Sequence, residues 1–270
     1  MRVGFVGAGR MGRPMVARLI EAGHEVRALG RTHQRRAELE RLGARAVGDA
    51  AEAGAGADVV VVCVFTDAQV RQVCRDGALP ATMAPGATLV VHTTASPKTI
   101  ETVAARAAHI DVLDAPVSGG PHDVAAGKLT LFVGGAAEAV ERARPVLGCY
   151  GDPVLHVGPV GAGQKVKLVN NASFAAQIGL LAESVRLGER LGVPEPTLLD
   201  ALAHGSATSR VLDIVAATGS IASFVGVAGE FVGKDVAVAR GTAAEMGGDL
   251  GALDAVIGVV GSLTNTAGKV

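Results

Sequence analysis

Six residues constrain this chain more than any others: Gly7-Ala8-Gly9-Arg10-Met11-Gly12. They follow an apolar run, Arg2–Val6, and open an amphipathic stretch, Met11–Ala22, in which Met11, Met15, Val16 and Leu19 share one helical stripe. The string therefore reads as the turn between a strand and a helix. In G-x-G-x-x-G the first glycine permits the tight turn, the second lets backbone approach a pyrophosphate, and the third allows the helix to pack closely on the strand. The helix N-terminus then offers N–H donors and a positive dipole end to the phosphates. In a chain with 37 glycines the string alone could arise by chance. Its place between strand and helix is what makes it a dinucleotide fingerprint, with Gly7, Gly9, Arg10, Met11 and Gly12 as candidate cofactor residues.

The next strand, His24–Leu29, should end on the group that tells the two nicotinamide dinucleotides apart. An NAD enzyme usually places Asp or Glu there, on the ribose 2′-OH. This chain has Gly30-Arg31-Thr32, with Arg35 one helical turn on. Arg31, Thr32 and Arg35 suit a 2′-phosphate through charge-assisted hydrogen bonds, so NADP(H) is the expected cofactor. Val64 and Phe65, at the end of the apolar run that starts at Val59, complete the cofactor set expected in this half of the chain.

Strand and helix patterns alternate up to about Val157, which predicts an α/β fold: a Rossmann-type, doubly wound, mostly parallel sheet. After Gly158 no strand pattern remains. Val166, Val169, Ala176, Leu180, Leu187 and Leu191 suggest one long helix over Lys165–Leu191, broken by Pro194-Glu195-Pro196. The expected division is a dinucleotide-binding domain over 1–163 and an all-helical substrate and oligomerisation domain over 164–270.

Lys+Arg 25 against Asp+Glu 26 leave no electrostatic footprint for nucleic acid, and aromatics at 3% leave few stacking platforms. The longest unbroken apolar run, Val59–Phe65, is far below the ~20 residues of a membrane span. Cys63, Cys74 and Cys149 form no CxxC pair. The N-terminal glycines interrupt the apolar stretch too early for a signal peptide. A cytoplasmic protein without nucleic-acid or membrane partners is expected. The histidines show no metal-ligand spacing, and neither a GxSxG elbow nor a GxxxxGK[ST] loop occurs, so no metal is expected and Ser-hydrolase and P-loop readings fail.

Two further stretches carry chemistry. In Asp114-Ala115-Pro116-Val117-Ser118-Gly119-Gly120, the successive N–H groups around Ser118–Gly120 and the Ser hydroxyl could cradle a small carboxylate. By composition alone the same stretch is a glycine-rich turn. At the start of the long helix, Lys167 and Asn171 lie i,i+4 and share a face, while Lys165 points elsewhere. A Lys beside a bound cofactor can supply the proton that a nascent alkoxide needs. Spacing alone does not separate that role from a solvent-exposed Lys.

With these residues in place, the chain resembles the β-hydroxyacid dehydrogenase family, which includes 3-hydroxyisobutyrate dehydrogenases and glyoxylate/succinic semialdehyde reductases. The match spans almost the whole chain. GxGxMG is carried by Gly7, Gly9, Met11 and Gly12, and DAPVSGG stands unchanged at Asp114–Gly120. GxxGxGxxxKxxxN falls on Gly158, Gly161, Gly163, Lys167 and Asn171, and a later Lys-Asp pair on Lys234-Asp235. The resemblance implies an active site in a cleft between two domains, with Lys167 as general acid/base. It also implies that Ser118, Gly119 and Gly120 bind the substrate carboxylate. Thr94, Asn171, Lys234 and Asp235 then line or support the cleft, and Lys234 also reaches the cofactor. The implied activity is NADP(H)-dependent interconversion of a small hydroxy acid with its semialdehyde or keto acid. The implied assembly is a homodimer or homotetramer. An imine reductase-like enzyme and a non-catalytic NADPH sensor stay open as alternatives. Pro121-His122-Asp123-Val124 departs from the family's small-residue continuation, which alters the expected substrate wall.

Overall fold

The computed structural model describes residues 1–267, with Glu230 and 261–267 described as backbone only. The chain forms two compact units, Met1–Lys167 and Leu168–Val270.

The first unit opens with β1 (Arg2–Val6), α1 (Gly12–Glu21), β2 (Glu25–Leu29), α2 (His33–Arg41) and β3 (Arg45–Val47). It continues with α3 (Ala50–Gly54), β4 (Val59–Val62), α4 (Asp67–Val70), a π-helical turn at Arg71–Arg75, and α5 (Leu79–Thr82). Then come β5 (Thr88–Val91), α6 (Pro97–Arg106), β6 (Asp111–Asp114), β7 (Val117–Ser118), α7 (Pro121–Ala126), β8 (Leu129–Gly134), α8 (Ala137–Leu147) and β9 (Gly151–Gly158). The sheet order is β3-β2-β1-β4-β5-β6-β8-β7, with β9 paired to β8. Strands β1 to β6 pair in parallel, β8 runs antiparallel to β6 and β7, and β9 is parallel to β8. This is the doubly wound, mostly parallel sheet that the strand–helix alternation predicts. The order reverses between β1 and β4, and in such sheets ligands bind outside the carboxyl ends of the strands at that point.

A central strand covered on both faces should be apolar throughout, and all four valines of β4 are buried. One core layer gathers Phe5, Met15, Leu19, Leu113, Leu131 and Tyr150; the other gathers Val60, Val62, Leu89, Val91 and Ile100.

Helix α9 (Ala162–Arg190) begins in the first unit and runs on into the second, which contains the further helices α10 (Glu195–His204), α11 (Arg210–Thr218), α12 (Ile221–Glu245) and α13 (Ala252–Ala267). The division falls between Lys167 and Leu168, four residues beyond the expected 163/164, because the first turn of α9 is bonded to the sheet unit. The long helix is where the apolar pattern predicts it, but the stripe differs. Val166, Val169, Leu180, Leu187 and Leu191 are exposed, with Val169 at 66% and Leu191 at 72%. The buried face is Ala172, Ala175, Ala176, Ile178, Leu181, Ala182 and Val185. Small residues let backbones approach: a Cβ on Gly179 would sit 2.1 Å from the Val256 carbonyl oxygen. No single helix among the described residues is long and apolar enough to cross a membrane.

Candidate active site

The Gly7–Gly12 loop connects β1 to α1 at the carboxyl edge of the sheet. Gly7 has φ +102, which L side chains rarely adopt. A Cβ on Gly12 would lie 2.3 Å from the Gly7 carbonyl oxygen, so only glycine lets α1 start this close to the loop. Gly9 is exposed with nothing within 4 Å of a built Cβ, and the first turn of α1 holds no acidic residue. An open cradle at a helix N-terminus with no carboxylate of its own fits a pyrophosphate. Arg10, Arg13 and Arg35 converge with Gly9 on a concavity of about 580 Å³ on the α1 side of the loop. Arg13 is a missed candidate, and its sequence signal was the residue directly after the last glycine of the fingerprint.

At the end of β2, a Cβ on Gly30 would meet the Arg36 Cγ at 2.6 Å and its backbone nitrogen at 2.9 Å. Arg36 donates to the Gly30 carbonyl at 3.0 Å, so the contact is fixed. A ribose-binding Asp or Glu does not fit there. Arg31 is exposed. The Thr32 hydroxyl accepts from the Arg35 N–H at 3.2 Å as the cap of α2, which leaves its own proton for donation. Arg35 Nη1 lies 2.8 Å from Glu38, with Arg13 3.9 Å from the same oxygen. The Arg35 hydrogen bond holds the Glu38 carboxyl below its usual range, so Arg35 already has an internal counter-ion.

Val64 is half-buried and its N–H and C=O both bond the Thr93 hydroxyl, at 3.0 and 2.9 Å. Phe65 is exposed. Thr94, the expected site residue, is half-buried beside Thr93. Gln164, fully buried, accepts from the Ala95 N–H and donates to the Thr93 carbonyl, both at 2.9 Å. The Asp114 carboxylate, also fully buried, accepts the N–H groups of Gly161 and Gln164 at 2.7 Å each. Burial pushes the Asp114 pKa up, against the lowering effect of these amide bonds. Asp114 and Gln164 thus clamp the first turn of α9 onto the ends of β5 and β6. One turn later comes Lys167, only 8% exposed. Lys165 instead points outward, 3.5 Å from Glu101. Neither clamp residue has a local sequence signal, since their partners lie 47 to 71 residues away.

The Ser118–Gly120 loop departs from the expectation in one respect. The Gly120 N–H, expected to hold a substrate carboxylate, donates to Asp123 Oδ2 at 2.6 Å. Asp123 is the third residue of α7 and reaches back to the residue that caps it. Gly120 is therefore already satisfied, and the Ser118 hydroxyl and Gly119 N–H are the remaining donors.

In the second unit, Asn171 Nδ2 donates to Asp235 Oδ2 at 2.9 Å, and Lys234 Nζ lies 3.4 Å from Asp235 Oδ1. The Asn171 amide is thereby oriented, with its oxygen as the accepting end. Among the described residues no cluster of His, Cys, Asp or Glu could hold a metal ion.

This geometry meets its relatives over nearly the whole chain. Residues 2–158 match the family model described as the NAD binding domain of 6-phosphogluconate dehydrogenase. Residues 161–269 match the NAD-binding model of NADP-dependent 3-hydroxyisobutyrate dehydrogenase. The chain belongs to the β-hydroxyacid dehydrogenase family. It is 35% identical over 216 residues to an NAD-dependent L-serine dehydrogenase of Pseudomonas aeruginosa, covering 79% of this chain and 72% of that one. It is 34% identical to the 3-hydroxyisobutyrate dehydrogenase of the same organism, covering 78% and 72%. The solved structure of Mycobacterium tuberculosis 3-hydroxyisobutyrate dehydrogenase with L-serine superposes with a TM-score of 0.88 at 30% identity, covering 98% of this chain and 94% of that one. A member of this family binds a nicotinamide dinucleotide and is an oxidoreductase of small hydroxy acids.

Proposed function

We propose that this β-hydroxyacid dehydrogenase is NADP(H)-dependent and interconverts a small hydroxy acid with its semialdehyde or keto acid, with Lys167 as general acid/base. The observation that carries the reading is the clamp that holds a nearly buried Lys167 one turn into α9. A nicotinamide dinucleotide held at the Gly7–Gly12 loop would supply the hydride chemistry. In the oxidative direction the hydroxyl proton passes to the Lys167 amine as the carbon–hydrogen bond breaks, leaving a carbonyl. In reduction the Lys167 ammonium returns that proton to the forming alkoxide. Asn171 lies four residues on in the same helix, and Asp235 with Lys234 holds its amide.

The crowded Gly30, which leaves no room for a ribose-binding carboxylate, supports NADP(H) over NAD(H), with Arg31, Thr32 and Arg35 taking the 2′-phosphate. Such a phosphate would compete with Glu38 for Arg35. The exposed Val169, Leu180, Leu187 and Leu191 support a homodimer or homotetramer, since a large apolar stripe on α9 is otherwise left to water.

The test is NADPH oxidation with small keto acids and semialdehydes, and NADP⁺ reduction with their hydroxy acids. Lys167→Met keeps the stem and should cut kcat by ~10²–10⁴ with little change in NADPH affinity. Lys165→Ala should retain most activity. Near-full activity in Lys167→Met, or an equal loss in Lys165→Ala, refutes the assignment.

A further inference from the structure

Three successive amides after β4 are taken up by side chains. Val64 donates its N–H to the Thr93 hydroxyl at 3.0 Å, and Phe65 and Thr66 donate theirs to Gln69 Oε1 at 2.8 and 3.2 Å. The Thr93 hydroxyl gives its own proton to the Val64 carbonyl at 2.9 Å. The backbone of this segment is thereby fixed, while the Phe65 ring stays exposed. The segment also abuts the fingerprint loop. A Cβ on Gly7 would lie 2.2 Å from the Cys63 carbonyl oxygen and 2.9 Å from the Val64 nitrogen.

The main chain of Thr93 reaches a different element. Its carbonyl accepts from Gln164 Nε2 at 2.9 Å, and Gln164 Oε1 takes the Ala95 N–H at 2.9 Å. Thr93 and Gln164 are both buried, at 5% and 0% exposure. A continuous chain of contacts thus runs from the Gly7 turn through Val64, Thr93 and Gln164 into the first turn of α9. All of it, with Lys167, lies in the first unit. Such a network resists distortion, because each bond broken in a dry interior leaves a polar group without water.

The chemistry requires a link of this kind. When a carbonyl is reduced, its carbon receives the hydride and its oxygen the proton, and the two atoms are only about 1.2 Å apart. The seat of the dinucleotide and Lys167 must therefore keep one separation, since a misplacement of about 1 Å can cost on the order of 10²-fold in rate. Resting on the dehydrogenase reading above, we propose that Thr93 is a positioning residue that joins the dinucleotide seat to the helical turn bearing Lys167. Its hydroxyl holds one side and its carbonyl the other.

Amide hydrogen exchange with and without NADPH reads this link without turnover. In the wild type, NADPH should slow exchange in residues 7–12 and 64–66, and also at Ala95 and residues 161–167. Thr93→Val keeps the branched shape but has no hydroxyl. It should retain the slowing in residues 7–12 and lose it at Ala95 and residues 161–167. Its kcat should fall by ~10–10²-fold while NADPH affinity stays close to wild type. Thr93→Ser restores the hydroxyl and should recover both kcat and the slowing. Gln164→Met breaks the other half of the link, should lose the same slowing, and serves if Thr93→Val does not fold. A residue that only stabilised the fold would lower the thermal midpoint and leave the NADPH-dependent slowing in α9 in place. Slowing in residues 161–167 that survives in Thr93→Val, or that Thr93→Ser fails to restore, overturns the proposal. So does an unchanged kcat in a folded Thr93→Val protein. Full activity in Lys167→Met sinks the acid/base reading instead, and the exchange result then stands by itself.

Discussion

Two glycine loops at the carboxyl edge of one sheet solve opposite electrostatic problems. The Gly7–Gly12 loop leads into α1 with no acidic side chain in the first helical turn and three arginines nearby. The Ser118–Gly120 loop leads into α7 and is closed by a carboxylate three residues on. Both use a glycine at positive φ, Gly7 at +102 and Gly119 at +130. Backbone geometry alone thus does not make an anion site. What decides is whether the chain supplies its own anion, and here one loop waits for a phosphate while the other is already neutralised.

The largest effect should come from spoiling the open loop. Gly12→Val places a side chain against the Gly7 carbonyl, and should cost about 4 kcal/mol in urea unfolding and abolish measurable NADPH binding. Gly9→Ala has free space and should fold normally, so full NADPH affinity in Gly12→Val would break the account of that loop.

A smaller effect tests the footing of the closed loop. His92 Nδ1 lies 2.6 Å from the Ala115 carbonyl, just before that loop, and its Nε2 lies 2.8 Å from the Tyr150 hydroxyl. Burial pushes the His92 pKa from 6.5 down to about 4, so as pH falls the unfolded chain takes up this proton first. The stability held by the neutral ring is complete above about pH 6.5 and is lost as pH falls towards 4. The loss should be on the order of 3 kcal/mol. Urea unfolding between pH 7 and 4.5 should show this slope, and His92→Gln should lack most of it.

The smallest effect sharpens the open loop. Arg31→Ala should weaken NADPH about tenfold, roughly 1.5 kcal/mol, and hardly move NADH. Equal losses for both cofactors would make Arg31 an adenine platform or a structural residue.

What the sequence reveals follows from how local each signal is. The β1–turn–α1 unit is legible because its spacing, apolar stripe and glycines all lie within about twenty residues. The β4 valines are legible because a strand covered twice has no polar face. Strand β3, at Arg45–Val47, and strand β7, at Val117–Ser118, are too short to carry any alternation. In α9 the pattern yields a helix but names the wrong face, since Val166, Val169, Leu180, Leu187 and Leu191 stay outside while Ile178, Leu181, Val185 and the alanines between them do the packing. Lys167 is legible as a candidate, but what fixes it is not, because Asp114 and Gln164 reach partners 47 to 71 residues away along the chain. Asp123 carries a signal that could have been read: an acidic residue three positions after a helix cap. Its consequence for the substrate loop appears only once the Gly120 N–H is seen to be taken.

The clamp at the start of α9 also limits how this stretch can change. Gln164 is tied to the loop after β5, and Lys167 stands three residues further along a helix that turns about 100° per residue. Exchanging exposed Lys165 or Val166 leaves that phase alone. Inserting or deleting one residue between Gln164 and Lys167 swings the amine by more than a quarter turn around the axis, whatever residue is used. This segment is free in composition and rigid in length: a gauge in which the count of residues, rather than their kind, aims the lysine.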